Sequence, residues 1–141
     1  MGVEFSWLQQ LVPQLHQQMS FTYTHGQNLE SDQPLPEITP AEFKYKLEGS
    51  FFKTRILPFA LMRHVVKQNR VADNFGERVT PAFTTIDVGT KLTTFRNLQI
   101  SIAVSNLFGQ TFREHLSRYI SPEQPLNSPG RSLAVMAVYG W

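Results

Sequence analysis

The chain has no cysteine among its 141 residues, which excludes disulfide scaffolds, thiol catalysis and thiolate metal sites. Nor does it contain a run of about 18 apolar residues, the length a helix needs to cross a bilayer. Excess charge of one sign is small. Thirteen Lys and Arg against eleven Asp and Glu leave a net +2, with no basic run to attract nucleic acid. Glycine-rich phosphate loops, repeats and low-complexity tracts are missing. Met1-Gly2-Val3-Glu4-Phe5 has neither the basic n-region nor the apolar h-region of a secretory leader.

Catalytic patterns are equally scarce. His16, His25, His64 and His115 have no i,i+4 partner, so no zinc site is expected. Met62 and Met136 fall on different expected strands and read as packing residues rather than copper ligands. Ser101, Ser105 and Ser117 lack a glycine-flanked nucleophile elbow. Asp87 and Glu48 read as single carboxylates balancing Arg63, Lys46 or Lys91, not as an acid/base pair. The expectation is no enzyme, no cofactor and no metal.

What is present is alternation. Ile86, Val88 and Leu92 share one parity and Asp87 and Lys91 the other. Leu98, Ile100, Ile102 and Val104 oppose Gln99, Ser101, Ala103 and Ser105, and Leu133, Val135, Ala137, Tyr139 and Trp141 form one face of a last strand. Period-two patterning of this kind predicts strands with a single apolar face. Upstream, strands are expected at 2–12, 15–27, about 41–52 and about 57–70, giving seven in all. Arg63 and Lys67 are assigned to the polar side of the fourth, because a cation facing lipid at the midplane costs roughly 2–4 kcal/mol. Ala60, Met62 and Val66 then point the other way, which leaves His64 beside them. The connections alternate in length: short at 13–14, 53–56 and 94–97, long at 28–40, 71–81 and 109–130. Outer-membrane barrels have short periplasmic turns and longer extracellular loops. Trp7, Tyr23, Phe51, Phe83, Phe95, Tyr139 and Trp141 are read as an aromatic girdle near strand ends. The fold class expected is all-β, an antiparallel meander of about seven transmembrane strands forming an open, curved segment of a larger barrel.

Several short motifs carry a family resemblance: Asn106-Leu107-Phe108, then His115-Leu116-Ser117-Arg118, then Gly130-Arg131 and a terminal aromatic. In this order and spacing the sequence resembles the C-terminal end of TonB-dependent receptors, the outer-membrane barrels that import scarce nutrients such as ferric siderophores, cobalamin or metal complexes. The family most often ends on Phe, where this chain has Trp141. The resemblance implies a barrel of about 22 strands and an N-terminal plug, so residues 1–141 are expected to be the C-terminal barrel segment, with plug and earlier strands absent. It further implies outer-membrane lipid, the rest of the barrel, the plug, the inner-membrane TonB energy-transducing complex and the barrel-assembly machinery as partners. Tyr139 and Trp141 would belong to the assembly signal. Arg113, His115, Arg118 and Tyr119 are candidates for a substrate vestibule in the 109–130 loop, with fixing that loop to its neighbours as the alternative role for Arg113 and His115. Arg131 reads as a lumen-facing or loop-anchoring residue.

Two other classes fit alternation. A complete eight-stranded outer-membrane barrel with a structural or adhesive role needs one more strand and a leader. A soluble β-barrel or sandwich binding an apolar ligand needs a second apolar face, where Lys44, Lys46, Glu48, Asp87, Lys91, Gln99 and Ser101 stand instead.

Overall fold

The computed structural model describes residues 1–94, 97–117, 119–121 and 124–140. Its centre is one antiparallel sheet built from β1 (Gly2–Val12), β2 (Leu15–Thr24), β5 (Glu42–Gly49), β6 (Ile56–Val65), β7 (Phe83–Thr93), β8 (Leu98–Ser105) and β11 (Ser132–Tyr139), paired in that order. Two small hairpins, β3 (Gln27–Asn28) with β4 (Gln33–Pro34) and β9 (Tyr119–Ser121) with β10 (Gln124–Pro125), sit inside the first and third long loops. A single 3-10 turn, Asp73–Phe75, lies in the second. Each long strand touches only its sheet neighbours, and the sheet is open, with β1 and β11 unpaired on their outer edges.

Cross-strand partners share a face, so the register sorts the side chains. One row runs Trp7, Met19, Tyr45, Met62, Ile86 and the next Gln9, Gln17, Leu47, Ala60, Val88, Val104, Leu133. Further rows add Pro58, Thr90, Ile102, Val135 and Ile56, Leu92, Ile100, Ala137. All eight charged side chains of the seven strands (Glu4, Glu42, Lys44, Lys46, Glu48, Arg63, Asp87, Lys91) fall on the opposite parity. Arg63 stands across from Lys44 on that polar face, as the sequence pattern requires. His64 is on the apolar face, where its Nδ1 meets Thr84 Oγ1 at 2.8 Å. Polar groups without water need such partners. Gln17 is served likewise: its amide donates to Gln9 at 2.7 Å and accepts from the Tyr45 hydroxyl at 2.8 Å.

Among the described residues no second layer of strands or helices packs on the apolar face. Val65, Ala72 and Phe83 are the buried hydrophobic residues, while Phe5, Trp7, Ile102, Leu133 and Val135 stay exposed. A dry core between two layers is therefore not how this sheet hides its oily side.

Several boundaries differ from the sequence reading. The second strand ends at Thr24, not 27, because Gln27 pairs within its own hairpin. The third spans Glu42–Gly49 rather than 41–52, since Phe52, Lys53 and Thr54 all turn to positive φ (52°, 55° and 66°). The fourth ends at Val65, not 70, so Val66 and Lys67 are beyond it. There Val66 N–H donates to Ala41 O at 2.9 Å and Gln68 bridges to Thr80. Trp7 is in the middle of β1 rather than near its end. Phe95 and Trp141 lie outside the described residues.

Candidate functional site

The three long loops, 25–41, 66–82 and 106–131, leave the sheet at the same end, and the polar face beneath them carries the densest set of ionic contacts. It is organised on Arg63, which β6 projects between Lys44 and Thr85. Its Nε donates to Glu42 Oε2 at 2.5 Å, and its two terminal nitrogens donate to both oxygens of Glu114 at 2.5 and 3.0 Å. Lys44 reaches the other oxygen of Glu42 at 2.5 Å. The guanidinium also lies 5.3 Å from the centre of the Phe83 ring, which stacks on Phe112 at 4.2 Å. A bidentate fork combined with an aromatic face fixes orientation in a way a lysine at 63 would not.

Glu114 and Phe112 belong to the loop after β8, so that loop is strapped down over the polar face. The strap begins at Asn106, 5% exposed and left-handed at φ 50°. Its N–H donates to Asp87 Oδ1 at 2.7 Å, its side-chain amide donates to Gln110 O at 2.8 Å, and its Oδ1 accepts from Gln110 N–H at 3.0 Å. Asparagine tolerates this backbone and can bond locally, which gives the Asn106-Leu107-Phe108 motif a structural cause. Leu107 N–H then caps Ile86 O at 2.7 Å, while Phe108 points out, 76% exposed.

Beyond Phe112 the anchors continue. Arg113 Nη2 donates to Val79 O at 3.3 Å. His115 is inserted under the loops with its side chain only 2% exposed, Nδ1 on Thr80 Oγ1 at 3.0 Å and Nε2 buried without a hydrogen-bond partner, 4.0 Å from Glu77 Oε2. Burial holds this imidazole below its ordinary value of 6.5; Glu77 opposes the shift and Arg113 reinforces it. At neutral pH His115 is therefore uncharged, and its approach to Glu77 is a contact rather than an ion pair. Glu77 ties in the other loops too, accepting from Ala72 N–H at 2.9 Å and from Glu37 N–H.

Two spaces border this constellation. A pocket of about 230 Å³ is lined by Thr22, Thr39, Glu42, Arg63, Glu114 and His115. A wider bowl of about 540 Å³ opens toward solvent between Glu37, Phe75, Glu77, Arg78, His115 and Leu116. No group of three His, Cys, Asp or Glu among the described residues is placed to hold a metal. Arg63 and Glu114 are engaged with each other, so what the arrangement does is hold the loop.

Of the residues singled out from sequence, His115 and Leu116 line both spaces and Ser117 the wider one, where its N–H closes a turn on Glu114 O at 3.1 Å, whereas Arg113 lines neither and is held on Val79 O. Gly130 and Arg131 are exposed just before β11, away from the Arg63 cluster, and Tyr139 is paired with Leu98 at the short-turn end. Arg118 and Trp141 lie outside the described residues, and only the backbone of Tyr119 is described, opening β9. Sequence reasoning missed Glu114, Phe112, Glu77 and Thr80. The sequence separation of 51 between Arg63 and Glu114 leaves no local signal of their pairing.

No family model matches the chain, and no curated protein matches it. Among solved structures, the fold is similar to that of a chain described as the copper transporter OprC, with a TM-score of 0.84 and 24% identity. The superposition takes in 94% of this chain and 22% of that one, so this chain spans about a fifth of its length.

Proposed function

We propose that the chain is the C-terminal barrel segment of a TonB-dependent outer-membrane receptor that imports a scarce nutrient, a metal complex or siderophore among them. The observation that carries this reading is the segregation of charge. Across seven strands every Asp, Glu, Lys and Arg lies on one face, and the other is apolar and uncovered. Lipid on one side and an aqueous lumen on the other account for both faces at once. The likeness in fold to a copper transporter and the motifs at 106–108, 115–118 and 130–131 support the same assignment.

Strand direction supports a missing remainder. Seven antiparallel strands make β1 and β11 run the same way, so pairing these two edges directly would be parallel. An all-antiparallel closure needs an odd number of further strands, which an even-numbered barrel of about 22 supplies. In this reading the long loops face outward, with Arg113, His115, Arg118 and Tyr119 in or beneath the vestibule. The plug couples to the inner-membrane TonB complex, and the assembly machinery reads Tyr139 and Trp141.

Fractionation tests the reading. Expressed as part of its parent protein in a Gram-negative host, the segment should sediment with outer membranes and require detergent for release, and loss of the parent should lower uptake of one scarce nutrient. Recovery of the chain as a detergent-free soluble monomer would overturn it.

A further inference from the structure

The apolar wall carries a polar thread at its β1 end. Gln9 and Gln17 face each other in the row that continues through Leu47, Ala60 and Val88, with Trp7 and Met19 beside them. The Tyr45 hydroxyl donates to Gln17 Oε1 at 2.8 Å, and Gln17 Nε2 donates to Gln9 Oε1 at 2.7 Å. The order of donors is fixed from one end. A phenol hydrogen on an apolar wall needs an acceptor, so Gln17 turns its oxygen to Tyr45 and its nitrogen to Gln9. Gln9 presents its oxygen in turn, and its Nε2 is left with no hydrogen-bond partner among the described residues.

The thread advances one strand per step, from β5 to β2 to β1, and stops at the open edge of the sheet. Gln17 is only 9% exposed although it stands on the outer wall, so the thread lies along the sheet instead of projecting from it. Beside its last member the backbone edge of β1 is unpaired as well. Hydrocarbon supplies partners neither for a strand edge nor for a side-chain amide. One further strand against β1 answers both needs, since facing side chains of paired strands stand about 5 Å apart.

We infer that β1 is bordered in the parent protein by a strand whose outward side chain beside Gln9 is a neutral hydrogen-bond acceptor, an amide carbonyl or a hydroxyl. That group takes the Gln9 Nε2 proton and carries the thread across the seam. Neutrality follows from the wall itself, because no Asp, Glu, Lys or Arg of the seven strands stands on this face. Donors aligned head to tail polarise one another, so the acceptor strengthens the bonds behind it and ties the added strand to β1, β2 and β5. This rests on the proposal that the chain is a barrel segment with lipid on its apolar face.

A cysteine-free parent carrying Phe5→Cys, on the same face of β1 as Gln9, tests it without touching the thread. Oxidation in outer membranes against single cysteines along the preceding strand sets the register beside β1. The residue facing Gln9, or one of its two outward neighbours, should be Asn, Gln, Ser, Thr or Tyr. Replacing that residue by an apolar side chain of similar size, and Gln9 by Met, should each lower the urea midpoint. The two changes should couple about threefold in the unfolding equilibrium. Only apolar residues at those three positions, or strictly additive effects, overturn the inference and leave the receptor reading in place. So does a Phe5→Cys disulfide between two copies instead of within one chain, which would set a second copy against β1. A parent recovered without detergent as a soluble monomer, with no strand beside β1, overturns both.

Discussion

Removing the carboxylate of Glu114 should free the strap after β8 without unfolding the sheet. Glu114 contributes two parallel bonds to Arg63, at 2.5 and 3.0 Å, while Arg63 Nε keeps its own bond to Glu42. A bond to a charged group is worth roughly 1.5–3 kcal/mol when buried, and an exposed ion pair roughly 0.2–1. The side chains here are 26% and 39% exposed, so solvent screening places the pair between those limits. About 1.5 kcal/mol is the resulting estimate for Glu114→Ala, close to tenfold in the local opening equilibrium. Hydrogen exchange followed by mass spectrometry reads that directly, since amides of the strap exchange through local opening. Peptides covering 107–117 should exchange about tenfold faster in Glu114→Ala and about threefold faster in Glu114→Gln, which keeps a neutral acceptor. Peptides from β2 and β5 should be unaffected. Unchanged exchange in 107–117, or uniform acceleration across the sheet, would refute the idea that this pair latches the loop.

Other consequences are equally specific. Ala60→Arg should cost roughly 2–4 kcal/mol in the bilayer, whereas Leu61→Arg, one residue along and between Lys46 and Asp87 on the polar face, should cost under about 1 kcal/mol; urea midpoints in vesicles compare the two. His115 binds a proton less readily folded than unfolded, so its anchor is at full strength above pH 6.5 and weakens as pH falls from there toward the depressed folded value. Exchange in 107–117, corrected for intrinsic rates, should therefore speed up toward about pH 5, and His115→Asn should abolish that trend. Gly89→Ala should destabilise by roughly 1–3 kcal/mol, because its Cβ would meet Ile102 O and the Phe59 ring at 2.6 Å, and the urea midpoint should fall accordingly.

The strands and their facing were legible because side-chain parity is a strictly local property. Ile86, Val88 and Leu92 against Asp87 and Lys91 define a wall whatever lies next to them. Boundaries were less legible where alternation outlasts the ladder. Val66 and Lys67 continue the pattern of β6, yet the backbone has already turned toward Ala41 and Thr80. The two-residue strands of the loop hairpins are too short to show any period. The strap was visible only as a motif. Asn106 could be suspected as a left-handed residue at a strand end, but burial of His115 and the reach of Glu114 to Arg63 depend on contacts between distant segments. No composition or spacing encodes them.

The central claim, that lipid covers the apolar face, is tested most directly by nitroxide accessibility in bilayers. Labels at Ala60, Val88 and Val135 should collide with oxygen and be shielded from a water-soluble nickel chelate, and labels at Leu61, Asp87 and Ser101 should show the reverse. Nickel-accessible labels on both parities, or shielding from both reagents at Ala60, Val88 and Val135, would contradict it.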